Sequence, residues 1–424
     1  MNHTFIGKIS AAGAIGALAL IVSSATPTSA NAQTRFSSLT AQEIQAGGYE
    51  DNAIALIAAV RDSSFGPTSV ATDGTTARTF AQPSKAAENQ SLDVDARAER
   101  TDSTQDRVAE ISQTVPMTAD GKAAVAKQVE IDREIERVAT EGHAEVDIVA
   151  ATISPISVVA TSDRQTGAVL AEVTSYVAEQ YRSGVVHEGV ETTNVIFDAA
   201  TGAVTSIHTV TDQEIAASTT EYIDSYGPAS DSGVTADTTW YPEGKVPPEF
   251  GALVHLGGGY APTIIKTGMT STNKSKVVAY ANKYWDTYNS SYRSFTNDCT
   301  NFVSQAMREG GWANDTGLWN DDHNWWYNSL NQTHSWGGAE NWYKFARVNS
   351  GRVTAASNVY SLRPGDVLQV KYSGDTAIHH SMIVTLYSSS MIYLTYHSND
   401  KHNVSFTWYN AQQSVGVLYY GQFV

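Results

Sequence analysis

Cysteine is nearly missing from this 424-residue chain, which has only Cys299. Basic side chains are scarce too: 27 Lys and Arg stand against 44 Asp and Glu, a formal net charge of −17. Apolar runs are short, and beyond the first 32 residues none approaches the roughly 20 that a helix needs to cross a bilayer. Each shortage excludes something. One cysteine cannot build an intrachain disulfide framework. An acidic chain lacks the surface that holds phosphate backbones, so no nucleic-acid partner is expected. No membrane association is expected after loss of the leader described next.

That leader is residues 1–32. Lys8 and the apolar run from Ala11 to Val22 precede Ala30-Asn31-Ala32, the small-x-small pattern of a signal-peptidase site. The mature chain is therefore expected to be secreted, extracellular or cell-wall associated. Its charge is uneven. Residues 271–424 carry 11 basic and 10 acidic side chains, so the whole deficit lies upstream. A single core stops growing at about 250–300 residues, so several domains are expected.

The upstream organisation follows from composition. Residues 33–118, rich in Ser, Thr, Ala, Asp and Gln, read as largely mobile and low in complexity. In 119–225 a helix over 119–140 precedes β-rich segments at 144–160, 168–181, 186–197 and 204–211, with turn sequences between them that favour antiparallel hairpins. This is an α+β layout, one helix on a curved sheet, similar to cystatin-like or NTF2-like architectures. A passive spacer is its simplest role. Residues 226–270, with their prolines and Gly257-Gly258-Gly259, read as a linker to a second domain at 271–424.

A lone thiol in a secreted chain needs an explanation: buried filler, an intermolecular bridge or a nucleophile. After Cys299, Phe302, Val303, Ala306 and Met307 fall at offsets of 3, 4, 7 and 8, one face of a helix. Asn297 or Asp298 can cap its start, and Gly310-Gly311 can end it. Cys299 then sits in the first turn, where unpaired N–H groups and the helix dipole favour a thiolate. Asp298 opposes this, so a nearby cation is required.

His380 is the candidate base. It lies in an expected strand over 378–387 and shares the more apolar face with Met382, Val384 and Leu386, the face expected to meet the helix. A third strand, 391–400, gives His397 and Asn399 the same parity and Asp400 the opposite one. A polar group there can hold the His380 ring.

The stretch from about 275 to 424 resembles the amidase domain family of secreted bacterial proteins, related to NlpC-type and CHAP peptidases of papain-like fold. The resemblance rests on Asn297-Asp298-Cys299-Thr300-Asn301-Phe302-Val303-Ser304-Gln305 with Gly310-Gly311; Trp325-Trp326-Tyr327 with Ser335-Trp336; Arg363-Pro364-Gly365-Asp366; His380-Ser381-Met382-Ile383-Val384; and Tyr396-His397-Ser398-Asn399-Asp400. It implies Cys299 as nucleophile, His380 as base and His397 as orienting residue, with Asn399 in that part in CHAP-like relatives. Asn297 is a candidate helper at the oxyanion, beside the Cys299 backbone N–H.

The expectation is a secreted, monomeric cysteine amidase or endopeptidase acting on cell-wall peptides, with no cofactor or metal. Eight of the nine Trp lie between positions 285 and 408, most expected in the core and one or two in a substrate cleft. Two other classes compete: an inactive wall-binding module of the same fold, and a zinc hydrolase using His379, His380, His397 and His402. The second lacks the ligand spacing of a metalloprotease. Asp315, Asp321 and Asp322 lack the pattern of a calcium loop and read as solvated charge.

Overall fold

A computed structural model describes residues 35–71, 103–211, 214, 268–372, 375–413 and 416–424. The leader, most of the linker and the middle of the 33–118 stretch lie outside the described residues. Among the described residues no helix is long and apolar enough to cross a membrane.

The protein is α+β, built on a large, almost wholly antiparallel sheet. Strands β1 (Phe36–Ser38), β2 (Thr68–Val70), β3 (Ile148–Asp163), β4 (Ala168–Tyr181), β5 (Val186–Asp198) and β6 (Val204–Thr209) make its first half. The second half is β7 (Thr354–Ala355), β8 (Val367–Tyr372), β9 (His380–Ser388), β10 (Met391–Tyr396), β11 (Lys401–Ser405) and β12 (Val417–Phe423). The order is β1-β3-β4-β5-β11-β10-β9-β8-β12-β7, with β2 beside β3 and β6 beside β5.

In the first half, α1 (Ala41–Ala46), α2 (Tyr49–Phe65), α3 (Thr104–Thr114) and α4 (Ala119–Thr140) cover the sheet. The 119–140 helix and the hairpin strands stand close to where the periodicity puts them. The first three helices correct the expectation that 33–118 is largely mobile, for the part described. Ile44, Tyr49, Ala53, Leu56 and Val60 are buried with Val169, Ala171, Val195 and Phe197 in one core. These apolar residues recur at helical intervals, and the neighbouring sheet supplies the surface they cannot bury alone. Gly121, near the start of α4, lets the helix approach β6 closely, since a Cβ there would stand 2.0 Å from the Val204 carbonyl oxygen.

The two halves meet along β5 and β11, where Lys401 pairs with Gly189 and His402 with Glu188. Gly189 makes room for the Lys401 stem, because its Cβ would lie 2.6 Å from Lys401 Cδ. The stem crosses to place Nζ 2.9 Å from Glu191 Oε1. Arg61 from α2 joins Glu191 and Glu179 in the same cluster. Burial opposes ionisation of Glu191, but Arg61 and Lys401 outweigh it and hold the carboxyl well below its usual range. The halves also share a core. Phe65, Ala139, Val146, Ile148 and Tyr181 of the first half pack with Trp408, Phe406, Val404 and Tyr393 of the second.

In the second half, α5 (Ser271–Tyr284) and α6 (Cys299–Glu309) lie on one face of the sheet, against Val367 and Ile383. Met382, Val384, Leu368 and Val370 point to the other face, into the shared core. Of the tryptophans, Trp285, Trp325, Trp336, Trp342 and Trp408 are buried, while Trp319 is 49% exposed. The core assignment thus holds for most of them.

Candidate active site

Cys299 opens α6, as the spacing predicts, and is buried. The expected polar side of this helix is buried as well, because tryptophans and strands close over it. Each polar side chain finds a partner there, as buried polar groups must. Thr300 Oγ1 lies 3.0 Å from Ser381 Oγ. The Trp336 indole donates to Asn301 Oδ1 at 2.7 Å, and that of Trp325 to Ser304 Oγ at 3.1 Å. Tyr280 donates its hydroxyl to Gln305. Leaving one such group unpaired costs about 1–3 kcal/mol, so these bonds fix the helix tightly.

Asp298 is the N-cap by position, yet its side chain makes no cap bond. The carboxylate turns inward instead. Oδ1 accepts from Phe295 N at 2.9 Å and Asn301 Nδ2 at 2.8 Å, and Oδ2 lies 2.8 Å from His397 Nδ1. His397 Nε2 faces the Tyr284 carbonyl at 2.7 Å. Both ring nitrogens therefore face acceptors, and both contacts are hydrogen bonds only if the ring carries two hydrogens. An imidazolium paired with a buried carboxylate satisfies the geometry. The ring is sandwiched between Phe302 and Tyr288, at 4.0 and 4.3 Å between centroids.

This corrects the expected role of His397. Its nitrogens are taken up in holding Asp298 to the end of α5. The parity argument fails because β10 ends at Tyr396, and Ser398 and Asp400 take φ of +87° and +27°, turning the chain. Asn399 leaves the thiol side altogether and lines a cavity of about 450 Å³ between the two halves, beside Lys401, Glu179 and Glu191.

His380 starts β9 and is buried, its ring edge-on to Tyr396 at 4.8 Å and parallel to Tyr409 at 6.3 Å. It shares a face with Met382 and Val384, as expected, but α6 lies on the opposite face, with Ser381 and Ile383. Relative apolarity misled here, because β9 is buried on both sides. The thiol lies against the backbone just before β9: Sγ is 3.8 Å from the His379 carbonyl oxygen. His379 itself is paired with Asp375, Nε2 to Oδ2 at 3.0 Å.

Sγ donates to Asn297 Oδ1 at 3.3 Å and lies 3.7 Å from Thr300 Oγ1. Burial pushes the Cys299 thiol up and Asp298 adds to the rise, against hydrogen bonds from the Thr300 hydroxyl and the Ser381 backbone. The helix dipole does not prevail over desolvation, so the resting group is a neutral thiol. Native Cys299 should thus react with iodoacetamide more slowly than the denatured chain at about pH 8. Its rate should keep rising above the ordinary thiol range. A native rate above the denatured one would point to a thiolate–imidazolium pair instead.

Among the described residues no group of three or more His, Cys, Asp and Glu side chains converges as a metal site. The four clustered histidines of the sequence part company: His379 goes to Asp375, His380 to Tyr396, His397 to Asp298 and His402 to Glu188. Ser398 was missed in the sequence. Its hydroxyl accepts from Asp298 N at 3.1 Å and donates to Asn297 Oδ1 at 3.0 Å.

The second half thus presents a thiol at a buried helix start, packed on an antiparallel sheet. Residues 271–420 match the model of the family described as "Putative amidase domain", which bears out the expected amidase family for this part of the chain and points to amide hydrolysis. A 109-residue stretch is 32% identical to the "Uncharacterized protein YhbB" of Bacillus subtilis (strain 168), covering 25% of this chain and 35% of that protein. The match therefore spans about a third of the relative's length. No solved structure matches the chain.

Proposed function

We propose that the protein is a secreted cysteine amide hydrolase, of papain-like type, acting on peptides of the cell wall. The observation that carries it is Cys299, a buried thiol at the start of a helix whose first N–H groups have no side-chain cap, within a stretch that matches an amidase family. Sγ attacks the amide carbonyl carbon, the carbonyl electron pair moves to oxygen, and the thiol proton passes to His380. The oxyanion is held by N–H groups at the helix start. Its collapse expels the amine, which takes the proton from His380, and water then hydrolyses the thioester with the same base.

His380 is proposed as base from the family resemblance; its ring lies on the face of β9 away from α6, and the strand's contact with Sγ is the neighbouring His379 carbonyl at 3.8 Å. The His379–Asp375 pair favours a second reading with His379 in that role. His380→Ala should remove turnover while His379→Ala retains most of it, and the reverse result would exchange them. The first-half domain, with its cystatin-like or NTF2-like layout, is read as a support for the site. Mass analysis of products from purified peptidoglycan tests the substrate: new free amino and carboxyl termini are expected. Intact wall after prolonged incubation would discard the cell-wall reading.

A further inference from the structure

We propose that the cavity between the two halves binds a small amphiphilic amine, with its ammonium group on Asp132 and its apolar body along the wall that includes Trp408. The volume of about 450 Å³ falls within the roughly 300–1,000 Å³ of small-molecule sites. Ile57, Ile131, Ile135, Ile207 and Trp408 line it. Part of this wall is fixed before any ligand arrives. The Trp408 indole donates to the Val146 carbonyl at 2.7 Å and meets Phe65 edge-on at 5.4 Å. Ile131 belongs to the lining and is also 43% exposed, so the apolar wall reaches solvent there.

The polar side of the cavity selects the sign of the ligand. Of the carboxyls that line it, Glu179 pairs with Arg61, Glu191 with Arg61 and with Lys401 at 2.9 Å, and Glu214 with His208 at 2.9 Å. Asp132 has no ion pair among the described residues. Its Oδ1 accepts from Gln128 Nε2 at 2.8 Å. Its Oδ2 lies 3.5 Å from Ser64 Oγ, at the limit of hydrogen-bond range, and the single hydrogen of that hydroxyl goes to the Val60 carbonyl at 2.8 Å. Burial pushes the Asp132 carboxyl up to about 7, against the pull of Gln128 and Arg61. An anionic ligand would have to break the buried pairs of Arg61 and Lys401. An ammonium meets the one lining carboxyl that has no counter-charge.

The site is separate from the thiol, although one turn of chain borders both. Asn399 and Lys401 line the cavity, whereas Ser398 donates to Asn297 Oδ1 at 3.0 Å on the thiol side. Both halves close round the ligand, with Asp132 and Ile135 on α4 and Lys401 and Trp408 in the second half. A ligand held only by the native state shifts the unfolding equilibrium toward it, so binding should stabilise the joined halves. It needs no chemistry from Cys299.

The test uses the full chain and three probes of similar shape, n-octylammonium, n-octanol and octanoate, read by titration calorimetry and by the melting midpoint. At neutral pH octylammonium should bind about tenfold or more tightly than octanol and raise the midpoint, while octanoate should not bind. Asp132→Asn should weaken octylammonium about ten- to hundredfold, the share expected of a hydrogen bond to a charged group, and leave octanol unchanged. Asparagine keeps the shape and still accepts from Gln128. The variant should therefore melt at the native temperature or above it, since an uncompensated carboxyl is gone. A purely structural Asp132 would lower the midpoint and leave the ratio of the two affinities as it was. Equal binding of octanol and octylammonium, preference for octanoate, no binding of any probe, or unchanged octylammonium affinity in Asp132→Asn overturns the proposal. None of these readouts uses hydrolysis, so a failure of the amidase reading is seen separately.

Discussion

Cys299→Ala should lower amide hydrolysis by roughly a thousandfold or more, because a covalent path cannot run without its nucleophile and only binding and oxyanion stabilisation remain. Folding should be little affected. The side chain is small, and Sγ makes its hydrogen bonds as a weak donor, so the loss is that of a small buried hydrophobe. Circular dichroism and the melting midpoint of the variant should stay near those of the native chain. Iodoacetamide should reproduce the loss in the native protein, because Cys299 is the sole thiol. Undiminished turnover in the alanine variant would move the chemistry to another residue.

His397→Ala should act on the fold before it acts on turnover. Removing the ring leaves the Asp298 carboxylate fully buried without its charge partner, and breaking a buried ion pair on one side costs about 3–5 kcal/mol. The variant also loses the bond to the Tyr284 carbonyl and the contacts with Phe302 and Tyr288. Domains of this kind are stable by about 5–15 kcal/mol, so urea unfolding should begin at a markedly lower concentration. His397→Ala/Asp298→Asn should recover part of the loss, since the orphaned charge is gone. A His397→Ala variant with native stability but greatly reduced kcat would restore the orienting role expected from the sequence.

The elements read most clearly in the sequence are those with a long period of their own. The 119–140 helix, the strands at 168–181 and 186–197 and the helix opened by Cys299 all repeat apolar residues often enough to fix type and phase. The geometry around the thiol was less legible. His397 and Asn399 were placed by alternation along a strand that stops at Tyr396, where two left-handed residues send their side chains to different neighbours. Asp298 looked like a helix cap and is a buried ion-pair partner, a fate set by a histidine 99 positions away. The face of β9 that receives α6 was misread because both faces are covered, and no contrast in polarity separates them.

The strand pairing between β5 and β11 bears on how the molecule would behave if its chain were cut. The two halves are joined by hydrogen bonds, by the Lys401–Glu191 pair and by a shared core, none of which depends on the peptide connection between residues 214 and 268. A protease that nicks that connection should yield two fragments that travel as one particle in gel filtration and part only in denaturant. Release of the first half after such a cut would require unzipping a sheet, so the first half should stay with the second as a lasting part of the folded protein.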